Sequence, residues 1–119
     1  MILVDTSVWA DHLRAADADL SALLDRGGVV VHPFAIEELA CGYLPLRNEF
    51  LTMLHKLPQA PLASHHEVLA LIASHKLYGT GLGSVDVHLI ASAMLGKIRI
   101  WSRDKALARE AERLGLVIN

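Results

Sequence analysis

Residues 1–9, MILVDTSVW, join a short apolar run to an acidic residue and a helical pattern. The run MILV predicts a buried strand that ends at Asp5, because short apolar runs bounded by polar residues are typical of parallel strands. Trp9 and Leu13 predict the inner face of the next helix, with Ser7 as its N-cap. The stretch therefore predicts a strand–carboxylate–helix unit of the kind that builds parallel α/β sheets.

Acidic residues follow the other apolar runs in a similar way. VVVH is followed within two helical turns by Glu38, and IRIWS is followed closely by Asp104. Asp86 comes just after the glycine-rich GTGLG, in the first turn of a predicted helix. In a parallel sheet the carboxyl ends of the strands share one edge, where ligands bind. The acids expected at that edge are Asp5, Glu38, Asp86 and Asp104.

Strand-like and helical segments alternate along the chain, as expected for a single domain spanning residues 1–119. The alternation predicts an α/β fold, a three-layer α/β/α sandwich around a central parallel sheet of four to five strands. Besides the three apolar runs, an edge strand is expected around residues 61–63 and a last strand at residues 115–119. The predicted helices after the first cover residues 19–26, 33–42, 47–56, 64–78, 84–95 and 105–114.

The composition is more apolar than usual for a small domain, with 53% hydrophobic residues against roughly 45–50% in typical proteins. Part of this apolar surface is expected to meet a second copy or a dedicated partner. No apolar run reaches the roughly 18–20 residues of a membrane span, and no secretory signal is visible. The single cysteine, Cys41, fits a reducing compartment, so the expected location is the cytoplasm without membrane association.

The charge distribution favours a metal site over broad electrostatic binding. A net charge of −2 argues against strong, sequence-indifferent binding of nucleic acid, which depends on many phosphate contacts. Four carboxylates at one edge repel one another unless a positive charge lies among them. Hard divalent cations take oxygen ligands and supply that charge. The pattern therefore predicts metal-dependent phosphoryl-transfer chemistry.

Each acid also has a simpler interpretation. Asp5 is acceptable as a turn residue, Asp104 as a helix N-cap, and Glu38 as a solvated helix-surface charge. Asp86 could simply improve a helix start. It is, however, the one charged residue in a helix that is apolar nearly all round, where a lone carboxylate is costly to desolvate. The coincidence of all four at one edge favours a site.

Several other chemistries fail on their motifs. GTGLG follows a helical pattern rather than a strand, and no lysine follows as in a P-loop. HEVLA lacks the second histidine of a zinc protease, and the seven histidines, interpreted mostly as surface or interface residues, show no zinc-ligand spacing. A phosphorelay receiver would need a phospho-accepting aspartate after the third strand, but no aspartate lies between Asp25 and Asp86.

Four blocks of sequence, VDTSVW, EELACG, GLGSVDVHLIASA and WSRDKAL, resemble PIN-domain ribonucleases, specifically the VapC toxins of bacterial toxin–antitoxin pairs. The resemblance covers nearly the whole chain. It assigns the four family acids to Asp5, Glu38, Asp86 and Asp104. Ser102 stands where family members often have threonine, which is a mild departure.

The resemblance implies an endoribonuclease that depends on Mg²⁺, with Mn²⁺ as a substitute, and that acts as a toxin. Asp5 and Asp86 would bind the cation directly, and Glu38 and Asp104 directly or through water. A cation held in this way lowers the pKa of bound water and stabilises charge on phosphoryl oxygens. Family members are commonly dimeric and are neutralised by a cognate antitoxin, so residues 33–57 are expected to form a groove for an apolar partner segment.

Hydroxyl and basic side chains near the predicted edge are candidates for contacts with RNA. Thr6 and Ser7 match the hydroxyl pair that follows the first family acid. Arg14, Arg103 and Lys105 could hold RNA phosphates, or they could be ordinary surface charges. Two other functions stay open, a non-catalytic metal-binding interaction module and a metal-dependent nuclease acting on DNA.

Overall fold

The computed structural model describes residues 1–117 and contains a parallel sheet of three strands. They are β1 (Ile2–Val4), β2 (Val29–Val30) and β3 (Arg99–Trp101). The strand order is β2-β1-β3, so β1 is central, and Ile2 pairs with Val29 on one side and Arg99 on the other. Because both pairings are parallel, the carboxyl ends of all three strands meet at one edge, as the sequence predicts.

Seven helices lie within the described residues. They are α1 (Thr6–Arg14), α2 (Ala18–Asp25), α3 (Pro33–Ala40), α4 (Arg47–Lys56), α5 (His65–Ser74), α6 (Ser84–Gly96) and α7 (Lys105–Arg113). The bounds of α4 agree with the prediction, and α3 begins at Pro33, whose fixed φ and missing N–H suit the first turn. None of the helices in residues 1–117 has the length and apolar character needed to cross a membrane.

Helices cover both faces of the sheet and form a separate apolar core on each. Neighbouring residues of a strand point to opposite faces, so Leu3 and Val4 of β1 enter different cores. Leu3 packs with apolar residues of α5, α6 and α7. Val4 packs with residues of α1, α2, α3 and α4, including the fully buried Trp9. The predicted α/β architecture with a parallel sheet is therefore confirmed.

Within residues 1–117 the sheet has three strands, fewer than the predicted four to five. In place of the edge strand expected around residues 61–63, the structure has one isolated parallel bridge between Val31 and Gln59. The chain turns into α3 at Pro33, with His32 as its N-cap, so Val31 alone is left to pair beyond β2. Pro61 follows the bridge and has no N–H to extend it.

The predicted last strand, at residues 115–119, ends outside the described residues. Within them, Leu116 is not part of a strand, although its carbonyl accepts the Ile100 N–H at 2.7 Å. The contact places Leu116 beside β3, without a described ladder.

Helix α5 is shorter than predicted and ends at Ser74 rather than at residue 78. Lys76 has a left-handed backbone with φ of 54°, and the Leu77 N–H bonds back to the Ile72 carbonyl at 3.0 Å. This is the Schellman pattern of a helix end, which the apolar periodicity through Leu77 conceals. The following glycine loop uses positive φ at Gly79 and Gly81 to turn the chain toward α6.

Candidate active site

Asp5 lies where β1 ends and is only 5% exposed. It is the N-cap of α1, a role predicted for Ser7, which instead donates to it. Asp5 Oδ2 accepts the Ser7 hydroxyl at 2.7 Å, the Ser7 backbone N–H at 3.3 Å and the Ser102 hydroxyl at 2.8 Å. All three bonds reach the same oxygen, so the orientation of the carboxylate is set and Oδ1 faces away from these donors.

Asp86 lies in the first turn of α6 and has a raised pKa. Gly83 is the N-cap of α6, and its N–H donates to Asp86 Oδ2 at 3.0 Å. Burial raises the pKa of Asp86, the Gly83 hydrogen bond opposes that rise, and the negative charges of Asp5 and Asp104 add to it. The electrostatic influence of those two acids shows that three of the four predicted residues share one neighbourhood.

Asp104 caps α7, the helix after β3. Its Oδ2 accepts the Leu107 N–H at 2.9 Å, and its own backbone N–H donates to the Ser102 hydroxyl at 3.0 Å. The same hydroxyl donates to Asp5, so Ser102 links the two acids at the ends of neighbouring strands. The capping role considered for Asp104 from the sequence is therefore real, and it coexists with a place among the acids.

Glu38, in the last part of α3, reaches the same edge through Thr6. Its Oε1 accepts the Thr6 hydroxyl at 2.9 Å, and Thr6 directly follows Asp5 in the chain. Thr6 is therefore occupied in orienting an acid. Glu38 is exposed and does not contribute to the raised pKa of Asp86. It lies at the outer side of the group.

The four acids share one pattern of hydrogen bonding. Each commits one carboxylate oxygen to a cap or hydroxyl and has no hydrogen bond to the other oxygen within residues 1–117. In the same part of the chain none of them forms an ion pair. The arrangement leaves negative charge uncompensated and oxygen atoms available.

The donor chemistry of this edge fits a hard divalent cation. No three His, Cys, Asp or Glu side chains within residues 1–117 are close enough to one another to ligate a metal as they are placed. Mg²⁺ does not need three, because it keeps several waters and commonly takes only one or two carboxylates directly. Carboxylates that each keep one oxygen without a hydrogen bond within residues 1–117 meet that requirement.

Comparison with known proteins identifies the family of this chain. The profile of the family described as "PIN domain" matches residues 2–113, which include all four acids. The chain belongs to the PIN-domain family. The family predicted from the sequence is therefore confirmed, and the match spans the whole set of described helices and strands.

Similar proteins place this PIN domain more narrowly, in the VapC group. It is 47% identical to a protein named Ribonuclease VapC32 from Mycobacterium tuberculosis, strain CDC 1551 / Oshkosh. The protein of the same name from strain ATCC 25618 / H37Rv shows the same identity. Each alignment covers 119 residues, 99% of this chain and 96% of the relative.

The basic side chains predicted to contact RNA differ in whether they form ion pairs within this PIN domain. The guanidinium of Arg103 pairs with Asp11 at 3.1 Å and with Asp17, whose pKa this pairing lowers, and it lies over the Trp101 ring at 5.4 Å. Arg14 also pairs with Asp11. Lys105 is exposed and has no ion-pair partner within residues 1–117. Arg103 therefore links the loop after β3 to α1 and to the N-cap of α2.

Two residues of the PIN domain are more important than the sequence suggested. Ser102, noted there only as a departure from threonine, joins Asp5 to Asp104. His32, which was counted among histidines mostly at the surface or an interface, is fully buried and caps α3. Its position between a buried strand and a proline at the first helical position was the available signal, since that place is an N-cap.

Proposed function

We propose that this PIN domain is a metal-dependent endoribonuclease that hydrolyses RNA phosphodiester bonds with an activated water. The observation that carries the proposal is the group of carboxylates at one sheet edge that form no ion pair within residues 1–117, where Asp5 and Asp104 help to raise the pKa of Asp86. Such a group is expected where a cation belongs among the acids. The similarity to proteins named as ribonucleases supports RNA as the substrate.

The proposed cofactor is Mg²⁺, with Mn²⁺ as a substitute. Asp5 and Asp86 would hold the cation directly, and Glu38 and Asp104 directly or through water. When bound, the cation supplies Lewis-acid chemistry that lowers the pKa of a water and offsets charge on the phosphoryl oxygens. Carboxylate and water oxygens are the ligands that such a cation prefers.

The protein's own residues orient the acids and accept a proton. Ser7 and Ser102 hold Asp5 through one oxygen, so that Oδ1 is available to the cation. Thr6 holds Glu38 in the same way and keeps Oε2 available. In the proposed reaction either Glu38 or Asp104 takes a proton from the attacking water as general base.

Contacts with the RNA backbone are proposed for the basic residues nearest these acids. Lys105 begins α7 directly after Asp104, and its ammonium group has no ion-pair partner within residues 1–117. It is the strongest candidate for holding a phosphate as a point charge. Arg14 and Arg103 would first have to release Asp11 or Asp17, so their contribution to RNA binding is proposed to be smaller.

RNA cleavage in the presence and absence of metal tests the proposal. Purified protein in millimolar Mg²⁺ is expected to cut RNA. Cleavage should stop on addition of excess EDTA and resume when Mn²⁺ is added in excess of the EDTA. A single-stranded DNA of the same sequence is expected to remain intact. Cleavage of the DNA at a similar rate would instead support a DNA nuclease. Metal binding without cleavage of either strand would support a non-catalytic interaction module.

We further propose that the protein is the toxin of a toxin–antitoxin pair, that it forms a homodimer, and that an antitoxin segment binds near residues 33–57. Within that range the side chains of Phe50, Met53 and Leu57 pack against the core, and Leu54 is fully buried. The turn between α3 and α4 supplies apolar surface in their place. Its exposed large hydrophobic side chains are those of Tyr43 and Leu46.

The proposed dimer leads to a direct expectation for the isolated protein. Light scattering at about 20 μM is expected to give twice the mass of the 13.0 kDa chain, because a dimer with a dissociation constant of ~10⁻⁶ M persists at that concentration. Dilution to about 0.1 μM should shift the population toward monomer. A clean monomer at the higher concentration would contradict the dimer but not the nuclease.

A further inference from the structure

His32 forms a buried hydrogen bond across two helices. Its Nδ1 accepts the Phe34 backbone N–H at 2.9 Å, and its Nε2 lies 3.0 Å from the Ser92 hydroxyl. A backbone amide can only donate, so Nδ1 carries no proton and Nε2–H is the donor to Ser92. Burial, with a smaller effect of His88, lowers the pKa of His32 to about 4, which agrees with this neutral tautomer.

Ser92 lies in the middle of α6, among residues that are almost all apolar and buried. Serine inside a helix often bonds to a carbonyl of its own helix. In residues 1–117 the Ser92 hydroxyl has no such bond, and its partner is His32, sixty residues away in sequence. The pair therefore connects two elements and does not serve α6 alone.

The contacts between α3 and α6 follow an antiparallel order. His32, at the start of α3, meets Ser92, and Phe34 packs edge-on against His88 with ring centroids 4.7 Å apart. Moving forward along α3 thus corresponds to moving backward along α6. Extended along both helices, that order would bring the end of α3, with Glu38, toward the first turn of α6, with Asp86. Each acid is six residues from the bonded pair, roughly 9 Å along its helix.

We propose that His32 is a positioning residue, which through its bond to Ser92 holds α3 against α6 and so sets the separation between Glu38 and Asp86. The inference rests on the proposed function, in which both acids serve the same cation. Loss of the bond would leave a buried Nε2–H without an acceptor and allow the helices to shift. The two acids would then be less often in the arrangement that binds the cation, and the affinity of the protein for the cation would fall.

Two variants break the bond in different ways. Ser92→Ala removes the acceptor, and His32→Asn keeps a side-chain acceptor for the Phe34 N–H but is too short to reach Ser92. Ile90→Val is the matched control, because Ile90 is also fully buried in α6 and its truncation lowers stability without touching the bond. Mn²⁺ affinity, measured by electron paramagnetic resonance of the free ion, is expected to fall roughly tenfold in the two variants and to stay unchanged in the control.

Coupling to Glu38 separates positioning from a general structural effect. In a Glu38→Gln background, Ser92→Ala is expected to cause no further loss of Mn²⁺ affinity, since the bond acts through Glu38. Unchanged affinity in both bond variants, or the same loss with and without Glu38, would overturn the inference. A wild-type protein that neither binds Mn²⁺ nor cleaves RNA would overturn the proposed function itself, and it would do so before any variant is compared.

Discussion

Asp5→Asn is expected to keep the fold and lower metal-dependent RNA cleavage by ~10²-fold or more. Three donors converge on Asp5 Oδ2, so the asparagine must turn its one oxygen toward them. Its NH₂ group then occupies the position of Oδ1 and directs hydrogen-bond donors toward the proposed cation. The substitution therefore removes a charge and also presents the wrong polarity, while the cap of α1 is preserved.

The matched control for this variant is Asp25→Asn. Asp25 is exposed and ends α2, just before β2 begins, so it lies toward the opposite edge of the sheet from the four acids. The Asp25→Asn variant should cleave RNA at the wild-type rate when initial rates are compared. Circular dichroism checks that both variants are folded. Near wild-type cleavage by Asp5→Asn would refute the assignment of Asp5 to the metal site.

The effect of Asp86→Asn on the melting temperature is expected to change sign when metal is added. In EDTA the variant should melt at the same temperature as the wild type or higher, because burial and the charges of Asp5 and Asp104 disfavour the ionised carboxyl. The amide oxygen can still accept the Gly83 N–H. In millimolar Mg²⁺ the wild type should melt higher, since a ligand present at 100 times its dissociation constant adds about 2.7 kcal/mol to the free energy of unfolding.

The pH dependence of this difference follows from the raised pKa of Asp86. A carboxyl with a raised pKa binds its proton more tightly in the folded state, so its ionisation lowers stability as pH rises from the ordinary value of 3.8 through the raised value. The advantage of the variant in EDTA should therefore be present at neutral pH and vanish below the ordinary value. Thermal melts across that range, with and without EDTA, measure both effects.

A different result would assign Asp86 a purely structural role. If the variant melts below the wild type in EDTA, and Mg²⁺ raises both melting temperatures equally, Asp86 acts only as a first-turn residue that completes the cap of α6. The cation would then bind elsewhere.

The sequence by itself determined the elements and their junctions. Apolar runs predicted β1, β2 and β3, helical spacing predicted α4 with the observed bounds, and Pro33 marked the start of α3. These signals are local, since periodicity, caps and proline act within a few residues. Because parallel strands end at a common edge, the same local signals were enough to predict that acids gather there.

Only the tertiary structure decided which side chains meet across that edge. Ser102 reaches Asp5 over ninety-seven residues, Arg103 is drawn to Asp11 and Asp17, and His32 finds Ser92. Each contact requires the strand order β2-β1-β3, which brings the ends of distant segments together and is not encoded within any one of them. The described part of the chain forms three strands rather than four or five for a similar reason. Strand pairing depends on where neighbouring backbones run and not on the apolar character of a segment alone.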